Sequence, residues 1–350
     1  MRLGLSLGYW GSGADPGAHV ELTREAERLG YSVVWAAEAY GSDSVTMLTW
    51  LASRTDRIDV GSGVMQIPAR AATMTAMTAA SLDTLSGGRF RLGLGVSGPQ
   101  VSEGWYGVPF AKPLARTREY VAVVRAALRH ERVSHDGDHI RLPLPDGPGK
   151  PLRLAMRGHR ADLPIYLAVI GPRNLALAGE IADGWLAVFF APEYAFEQLD
   201  RVREGAAAVG RDLTGFDVVP TVPVVVGDDP RACADAVRDY SALYIGGMGS
   251  REQNFYNRLA IRMGFEEAAG RVQDLYLAGK VRDAAAAVPF EFIDRTCLLG
   301  SPDRIADRLT AYRDAGVTTL SVSPYATDAA DRSAALATVA AAGERAGVLD

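Results

Sequence analysis

The chain has 350 residues, of which 48% are apolar, and this is enough to bury one large α/β core, so we expect a single domain over 1–350. Its formal net charge of −5 argues against a nucleic-acid partner, and no apolar run approaches the roughly 18 residues that cross a bilayer. Its two cysteines are too few for a disulfide framework and lack the spacing of metal ligands, so we expect a cytoplasmic protein.

Short apolar segments alternate with longer segments of helical periodicity along the chain. This alternation predicts a parallel sheet with crossover helices, and eight strands are the number that closes a (β/α)8 TIM barrel. We predict strands near 3–7, 32–36, 58–61, 90–94, 165–169, 185–189, 218–226 and 319–322. We predict helices near 16–29, 43–54, 73–85, 114–130, 172–182, 192–209, 301–315 and 328–345. Glycines suited to a left-handed helix end follow several of them, namely Gly30, Gly87, Gly184, Gly210 and Gly316.

Two stretches exceed what a bare barrel needs, at about 131–162 and 240–294. The first contains the turn pairs Asp136-Gly137 and Asp146-Gly147, which predict a loop insertion with a hairpin. The second is predicted to add helices after the seventh strand. Because the loops that follow barrel strands build the active site, we expect these insertions to determine substrate selectivity.

The segment Gly93-Leu-Gly-Val-Ser-Gly98 matches the glycine pattern of dinucleotide-binding folds. That pattern indicates a dinucleotide site only between a strand and an immediately following helix. The prolines and glycines that come next predict no helix start here. We therefore favour a barrel strand whose glycines let a flat ring approach the backbone, with Ser97 as a polar contact.

The segment His135-Asp-Gly-Asp-His139 contains imidazole and carboxylate groups, which are types of metal ligand. The alternative is a solvated hairpin turn built on Asp136-Gly137. We favour the hairpin and predict no metal, because no further ligand cluster is evident in the sequence.

A strand that ends at Val169 is followed by a predicted helix that begins at Pro172. Proline suits the first helical position, because the N–H that it lacks would be unpaired there. The N–H groups of Arg173, Asn174 and Leu175 are then expected to be free, which is how a helix start binds a phosphate. An ordinary capped helix is the alternative, and the spacing does not distinguish the two.

Two further positions follow predicted strands at the same face. Glu38 comes just after the second strand, and its alternative role is to cap the helix that begins near Asp43. Tyr9 and Trp10 follow the first strand in the same way, as a pocket wall or as ordinary packing.

A set of segments spread over the chain carries a family likeness. They are Arg2-Leu-Gly-Leu, Trp35-Ala-Ala-Glu-Ala-Tyr-Gly, Gly61-Ser-Gly-Val-Met-Gln-Ile-Pro-Ala-Arg, Leu85-Ser-Gly-Gly-Arg-Phe-Arg-Leu-Gly-Leu-Gly-Val-Ser-Gly-Pro, Ile170-Gly-Pro-Arg-Asn and Ala182-Asp-Gly-Trp. With them the chain resembles the bacterial luciferase-like superfamily, and more closely its coenzyme F420-dependent oxidoreductase branch.

The resemblance implies a TIM barrel that binds a deazaflavin or flavin at the carboxyl ends of its strands. It implies a non-prolyl cis peptide at Gly63-Val64 that backs the ring, with Glu38 and Ser97 as polar contacts in the ring region. It places the cofactor phosphate at the segment formed by Ile170, Gly171, Pro172, Arg173 and Asn174. It also implies a homodimer.

Two positions depart from the pattern of related branches. Ala39 stands where the glucose-6-phosphate dehydrogenases have a histidine, and Ser6 stands where the methylenetetrahydromethanopterin reductases have a glutamate. Neither substrate is therefore carried over. By position, Glu38 and Glu103 remain the candidates for a catalytic proton donor.

The expected activity is hydride transfer between C5 of coenzyme F420 and a small organic molecule. One alternative is an FMN-dependent monooxygenase on the same fold. Another is a non-catalytic F420-binding protein, against which the two insertions argue. The acidic tail of F420 is expected to leave through loops that carry Arg70, Arg173 and Arg251, although ordinary solvated arginines are the alternative.

Overall fold

The secondary structure follows the predicted alternation of strands and helices. In this computed structural model, which describes residues 1–11 and 15–350, the strands are β1 (Arg2–Gly8), β2 (Val33–Ala36), β3 (Asp59–Ser62), β4 (Met65–Gln66), β5 (Phe90–Gly95), β6 (His135–Asp136), β7 (Arg141–Leu142), β8 (Ile165–Ala168), β9 (Gly184–Val188), β10 (Asp217–Val226), β11 (Leu298–Gly300) and β12 (Thr319–Pro324). The helices are α1 (Pro16–Arg28), α2 (Ser44–Ala52), α3 (Ala72–Leu85), α4 (Pro99–Gly104), α5 (Pro113–Leu128), α6 (Pro172–Ile181), α7 (Ala195–Ala208), α8 (Pro230–Asp235), α9 (Arg238–Ala242), α10 (Phe255–Arg262), α11 (Glu266–Leu277), α12 (Val281–Ala286), α13 (Phe290–Thr296), α14 (Pro302–Asp314) and α15 (Ala329–Arg345).

Eight of the strands form a closed parallel barrel. Their order is β1, β2, β3, β5, β8, β9, β10 and β12, and β12 pairs with β1 to close the ring. The short β4 continues the third strand beside β5, and β11 pairs with the end of β10. The predicted (β/α)8 TIM barrel is therefore confirmed. No helix within residues 1–11 and 15–350 is long and apolar enough to cross a membrane.

The main hydrophobic core lies between the barrel and its surrounding helices. Strands β2 and β5 are buried along their whole length, as expected for strands covered on both faces. Helix α2 turns Met47, Leu48 and Leu51 toward the core, and Asp43 caps its first turn by accepting the N–H of Thr46 at 2.8 Å. This packing holds the loops at the strand ends in place.

A polar network closes the amino-terminal end of the barrel. Arg91 Nη1 lies 3.2 Å from Asp217 Oδ2, and Arg91 Nε lies 2.7 Å from Asp59 Oδ2. The Tyr166 hydroxyl donates to Asp217 at 3.0 Å, and the Trp35 ring packs edge-on against the Tyr166 ring. Because this end is filled, a ligand site belongs at the carboxyl ends of the strands.

Both insertions have the predicted character. In the first, β6 and β7 form an antiparallel hairpin, so the hairpin interpretation of the segment from His135 to His139 is confirmed. The second contains α9 to α13, and helical structure already begins at α8. The strand β11, which returns the chain to the barrel, was not predicted, because three apolar residues after a helix give no periodic signal.

Two local predictions were wrong. A helix does follow Gly98, because α4 begins at Pro99, where proline is compatible with the first helical position. Gly184 does not end a helix, since it is the first residue of β9. The other helix-ending glycines, Gly30, Gly87, Gly210 and Gly316, have the positive φ that was expected.

Candidate active site

The exit of β3 is held tightly by its neighbours. The Ser62 hydroxyl is buried, donates to the Gly93 carbonyl at 2.8 Å and accepts the Gly93 N–H at 2.9 Å. The peptide between Gly63 and Val64 is cis, and the Gly63 N–H donates to the Ala36 carbonyl at 2.8 Å. The backbone after β3 is thus fixed to both adjacent strands.

The glycines of β5 make room for this backbone. A Cβ built on Gly93 would lie 2.0 Å from the Ser62 carbonyl oxygen, and a Cβ on Gly95 would lie 2.7 Å from Val64 Cγ2. The space at both glycines is therefore occupied by the β3 segment, rather than kept open for a flat ring as the sequence suggested. Ser97, just beyond β5, has a φ of 63°, which is uncommon for a residue other than glycine and marks a constrained strand exit.

Glu38 is buried and its carboxylate accepts hydrogen bonds from three elements. Oε1 accepts the Gln66 N–H at 2.9 Å and Arg70 Nη1 at 2.6 Å, while Oε2 accepts Arg70 Nη2 at 3.1 Å and the Ser44 hydroxyl at 2.8 Å. The Gln66 amide donates to the Glu38 carbonyl at 2.9 Å. Burial disfavours the charge of Arg70, but Glu38, with smaller effects from Asp43 and Tyr120, outweighs burial and raises the pKa of Arg70. Glu38 therefore joins the loops after β2 and β3.

The contacts of Glu38 also agree in part with its alternative role, which was to cap the helix that begins near Asp43. Glu38 contacts Ser44, the first residue of α2, although Asp43 is the residue that caps the helix. The partner that the sequence did not reveal is Arg70. It lies 32 positions along the chain, which spacing alone cannot connect to Glu38.

Glu103, the second candidate for a proton donor, has different contacts from those of the Glu38–Arg70 ion pair. Its side chain is exposed on α4 and accepts the Phe110 N–H at 2.9 Å. Nearby, the Tyr106 hydroxyl donates to the Ala39 carbonyl at 3.1 Å, which connects the loop after α4 to the loop after β2. Burial and the neighbouring Glu38 raise the pKa of Tyr106.

The exit of β8 leads directly into α6. Gly171 is the residue before the helix, and Pro172 occupies its first position without a side-chain cap. The expectation of three free N–H groups was wrong for Leu175, whose N–H donates to the Gly171 carbonyl at 2.9 Å. Arg173 and Asn174 keep theirs unpaired within the described residues. A Cβ on Gly171 would meet only the Asn174 amide nitrogen, at 3.6 Å, so the space beside this helix start is open.

The three arginines proposed for the cofactor tail differ in their partners. Arg70 is paired with Glu38, and Arg251 is paired with Asp274. Arg173 is exposed and has no acidic partner in the part of the chain that the structure describes. Arg70 also lines a cavity of about 520 Å³, together with Val96, Phe110, Arg116, Tyr120 and His139. This cavity lies beside the mouth of the barrel, by which we mean the opening at the carboxyl ends of its strands.

The carboxyl end of the barrel also carries aromatic side chains, away from the exits of β3, β5 and β8. Apart from Tyr9, the sequence did not single them out. Six tyrosines, which we call the tyrosine cluster, lie on the loops after β1, β2 and β12 and on the second insertion: Tyr9, Tyr40, Tyr240, Tyr244, Tyr256 and Tyr325. Three of them stand within the stretch 240–256. Aromatic enrichment of an insertion after a barrel strand is the signal that could have indicated them.

Comparison with known proteins gives a consistent result. A sequence model of the luciferase-like monooxygenase family matches residues 4–319. Rv3520c of Mycobacterium tuberculosis, named as a coenzyme F420-dependent oxidoreductase, is 44% identical over 92% of this chain and 95% of its own. The 5,10-methylenetetrahydromethanopterin reductase of Methanolobus tindarius is 31% identical over 84% of this chain and 86% of its own. The solved F420-dependent tetrahydromethanopterin reductase of Methanopyrus kandleri has the same fold, with a TM-score of 0.81 over 97% of each chain at 24% identity.

Proposed function

Because the chain belongs to the luciferase-like monooxygenase family, we propose that it is a coenzyme F420-dependent oxidoreductase that transfers a hydride to or from an organic substrate. The observation that carries the proposal is the contiguity of three strand exits. Strands β3, β5 and β8 are neighbours in the barrel, so Gly63-Val64, Ser97 and the segment 170–174 follow adjacent strands at its carboxyl end. We call this the cofactor half.

The chain's residues fit the two ends of such a cofactor. The open space beside Gly171 and the free N–H groups of Arg173 and Asn174 suit the phosphate at the start of the ten-residue helix α6. At the other end, Gly63-Val64 would back the ring, and Ser97 would offer a hydroxyl at its edge. Ile170 packs against the hydrophobic cluster that contains Phe189 and would contact the ring from the β8 side.

The bound deazaflavin supplies the hydride chemistry, with C5 as donor or acceptor. The protein supplies orientation and exclusion of water. We assign Glu38 the task of holding the segment from Val64 to Arg70 in place beside the ring, because every polar contact of its carboxylate is to a donor. This use of Glu38 as an acceptor leaves Glu103, which is exposed, as the carboxyl candidate for moving a proton.

The competing proposal is an FMN-dependent monooxygenase, which the description of the matched family favours. The two cofactors share a ring shape but differ at the ring position that forms the oxygen adduct and in the charge of the tail. A non-catalytic F420-binding protein is the remaining alternative.

Titration of the purified protein with F420 and with FMN, followed by absorbance and fluorescence, tests the proposal. We expect saturable F420 binding and much weaker FMN binding. Tight FMN binding with oxygen-consuming turnover and no F420 binding would replace the proposal by the monooxygenase. F420 binding without reduction or oxidation of any compound from a broad panel of alcohols, carbonyls and enones would favour the non-catalytic protein.

A further inference from the structure

The tyrosine cluster and the cofactor half occupy complementary parts of the same mouth. Going around the barrel, the cofactor half takes the exits of β3, β5 and β8. The exits of β9, β10, β12, β1 and β2 follow and complete the ring. Phe189 comes directly after β9, the second insertion follows β10, and Tyr325, Tyr9 and Tyr40 follow β12, β1 and β2. A molecule lying over the ring on the cofactor half would face these aromatic side chains.

The rings of the cluster are organised around Phe189. Its ring centroid lies 5.5 Å from that of Tyr240 and 5.6 Å from that of Tyr244. Tyr244 is 4.7 Å from both Tyr240 and Tyr256. Phe189 has a φ of 49°, an unusual backbone for a bulky residue, and this conformation is part of the geometry that directs its ring into the group. Tyr240, Tyr244, Tyr256 and Tyr325 therefore form a packed aromatic wall with Phe189, while Tyr9 and Tyr40 are exposed and pair with each other.

The hydroxyl groups of this wall are not used by the fold. Within residues 1–11 and 15–350, the hydroxyls of Tyr240, Tyr244, Tyr256 and Tyr325 form no hydrogen bond to protein, and none of them is sealed from solvent. Elsewhere in the chain the buried tyrosines are paired, as Tyr31 is to the Leu336 carbonyl. Unpaired hydroxyls on a rigid wall are available to a ligand.

The wall is also uncharged. Burial comes first among the causes that raise the pKa of Tyr244, and the neighbouring tyrosines Tyr256, Tyr9, Tyr325 and Tyr40 add to it. Burial alone raises the pKa of Tyr256 to about 12. The groups that act on these hydroxyls include no arginine, lysine or carboxylate. The tyrosines therefore stay protonated and can donate hydrogen bonds, and within residues 1–11 and 15–350 no arginine or lysine is among the groups that shift the pKa values of these four hydroxyls.

We infer that the tyrosine cluster is the substrate site and that it takes a neutral, planar carbonyl compound whose oxygen accepts a hydrogen bond from the Tyr244 hydroxyl. The inference rests on the proposed function for the hydride source. Reduced F420, when bound, would supply the hydride for the carbonyl carbon and would be oxidised in doing so. The carbonyl oxygen would gain a proton from the Tyr244 hydroxyl rather than from Glu103, the solvent would restore that proton, and the product would be an alcohol.

Binding of matched probes tests the inference without relying on turnover. The neutral probe is 2-acetonaphthone and the anionic probe is 2-naphthoate, which has the same ring system. Dissociation constants are measured by calorimetry on F420-saturated and on cofactor-free protein. We expect 2-acetonaphthone to bind at least tenfold more tightly than 2-naphthoate, because no arginine or lysine acts on the cluster hydroxyls and desolvation of the carboxylate would not be offset.

The variant Tyr244→Phe keeps the ring and removes the hydroxyl. It should weaken binding of 2-acetonaphthone by roughly three- to tenfold, the usual value of one hydrogen bond, and Tyr256→Phe provides a second variant in the cluster. Tyr276→Phe is the control, since Tyr276 is half-buried in the same insertion but packs on Gly246 and Gly247 outside the cluster. Thermal melting verifies that all variants are folded.

Equal or tighter binding of 2-naphthoate, no binding of 2-acetonaphthone, or unchanged affinity in both cluster variants would overturn the inference. F420 affinity measured on the same samples separates the two proposals. If F420 binds and the neutral probe does not, only the substrate inference fails. If F420 does not bind, the proposed function fails, and probe binding to the cofactor-free protein still decides the substrate site.

Discussion

Val64 occupies the space beside Gly95, where a Cβ would lie only 2.7 Å from Val64 Cγ2. Gly95 at the end of β5 thus sets the position of Val64, which follows the neighbouring strand β3 and is proposed to back the cofactor ring. Since Val64 also accepts the Glu38 N–H through its carbonyl at 3.3 Å, a shift here would be transmitted to the loop after β2.

The substitution Gly95→Ala tests this contact. We expect it to lower the free energy of unfolding by about 1–3 kcal/mol through overpacking, and to weaken F420 binding because Val64 must move. The double variant Gly95→Ala/Val64→Ala removes the clash and should recover most of the stability. Chemical denaturation and F420 titration measure both effects. Full stability and affinity in the single variant would mean that Val64 has room to move.

The substitution Gly171→Val tests the proposed phosphate site. Because a side chain at this position meets open space, valine should fit the fold but occupy the region where the phosphate would lie. Loss of charge-assisted hydrogen bonds should weaken F420 binding about tenfold or more. Gly270→Val is the control, since a side chain there also meets open space on α11. Equal F420 affinity in both variants would contradict the assignment.

Glu38→Gln tests the ion pair with Arg70. The contacts of the Glu38 carboxylate lead us to expect a loss of stability. Removing the carboxylate leaves Arg70 without its buried partner and should cost about 1–3 kcal/mol of unfolding free energy. A double-mutant cycle with Arg70→Gln should show favourable coupling between the two residues. Additive effects would show that the pair contributes nothing measurable.

Arg173 is expected to contact the negatively charged part of the cofactor. Arg173→Gln should weaken F420 binding by up to about fivefold and reduce its dependence on salt, because exposed charge pairs are weak and screened. Arg251→Gln is the matched control, since Arg251 already pairs with Asp274. The comparison requires affinities at low and high ionic strength. A larger loss of F420 affinity in Arg251→Gln would indicate that the cofactor tail lies at the second insertion instead.

Glu119 gives a prediction for pH. Burial opposes the charge of its carboxylate, but the N–H groups of Asp138, His139 and Ile140 outweigh burial and lower the pKa of Glu119 below 4.5. A lowered pKa in the folded state means that the contribution to stability is present above the unfolded pKa and is lost as pH falls through the folded one.

Glu119→Gln should therefore destabilise the protein by about 1 kcal/mol at neutral pH, and the difference from the parent should shrink at acidic pH. Urea unfolding over a range of pH measures this difference. A constant difference would show that the carboxylate charge is not what fastens the β6–β7 hairpin to α5.

The sequence predicted the barrel because each of its strands is an apolar run followed by a helical period. It did not predict the contacts that build the site, for identifiable reasons. The partner of Glu38 lies on the loop after the next strand, and no local pattern specifies which arginine reaches it. Pro99 was interpreted as a breaker, although proline is equally suited to begin a helix. The glycines of β5 were assigned to a ligand, whereas the neighbouring backbone fills their space. The tyrosine cluster is assembled from four loops, and only the closed barrel brings these loops together.

The pairing of β10 with β11 has a consequence for how this protein can change. The segment that contains the second insertion leaves the barrel after Val226 and returns at Leu298, and the Gly227 N–H donates to the Gly300 carbonyl at 3.1 Å. The two ends of this segment are therefore neighbours on the paired strands β10 and β11, and the eight-stranded ring is complete without it. We expect this segment to act as an exchangeable cassette. A different helical insertion joined at the same two points would present new side chains to the mouth while the Glu38–Arg70 pair keeps its geometry.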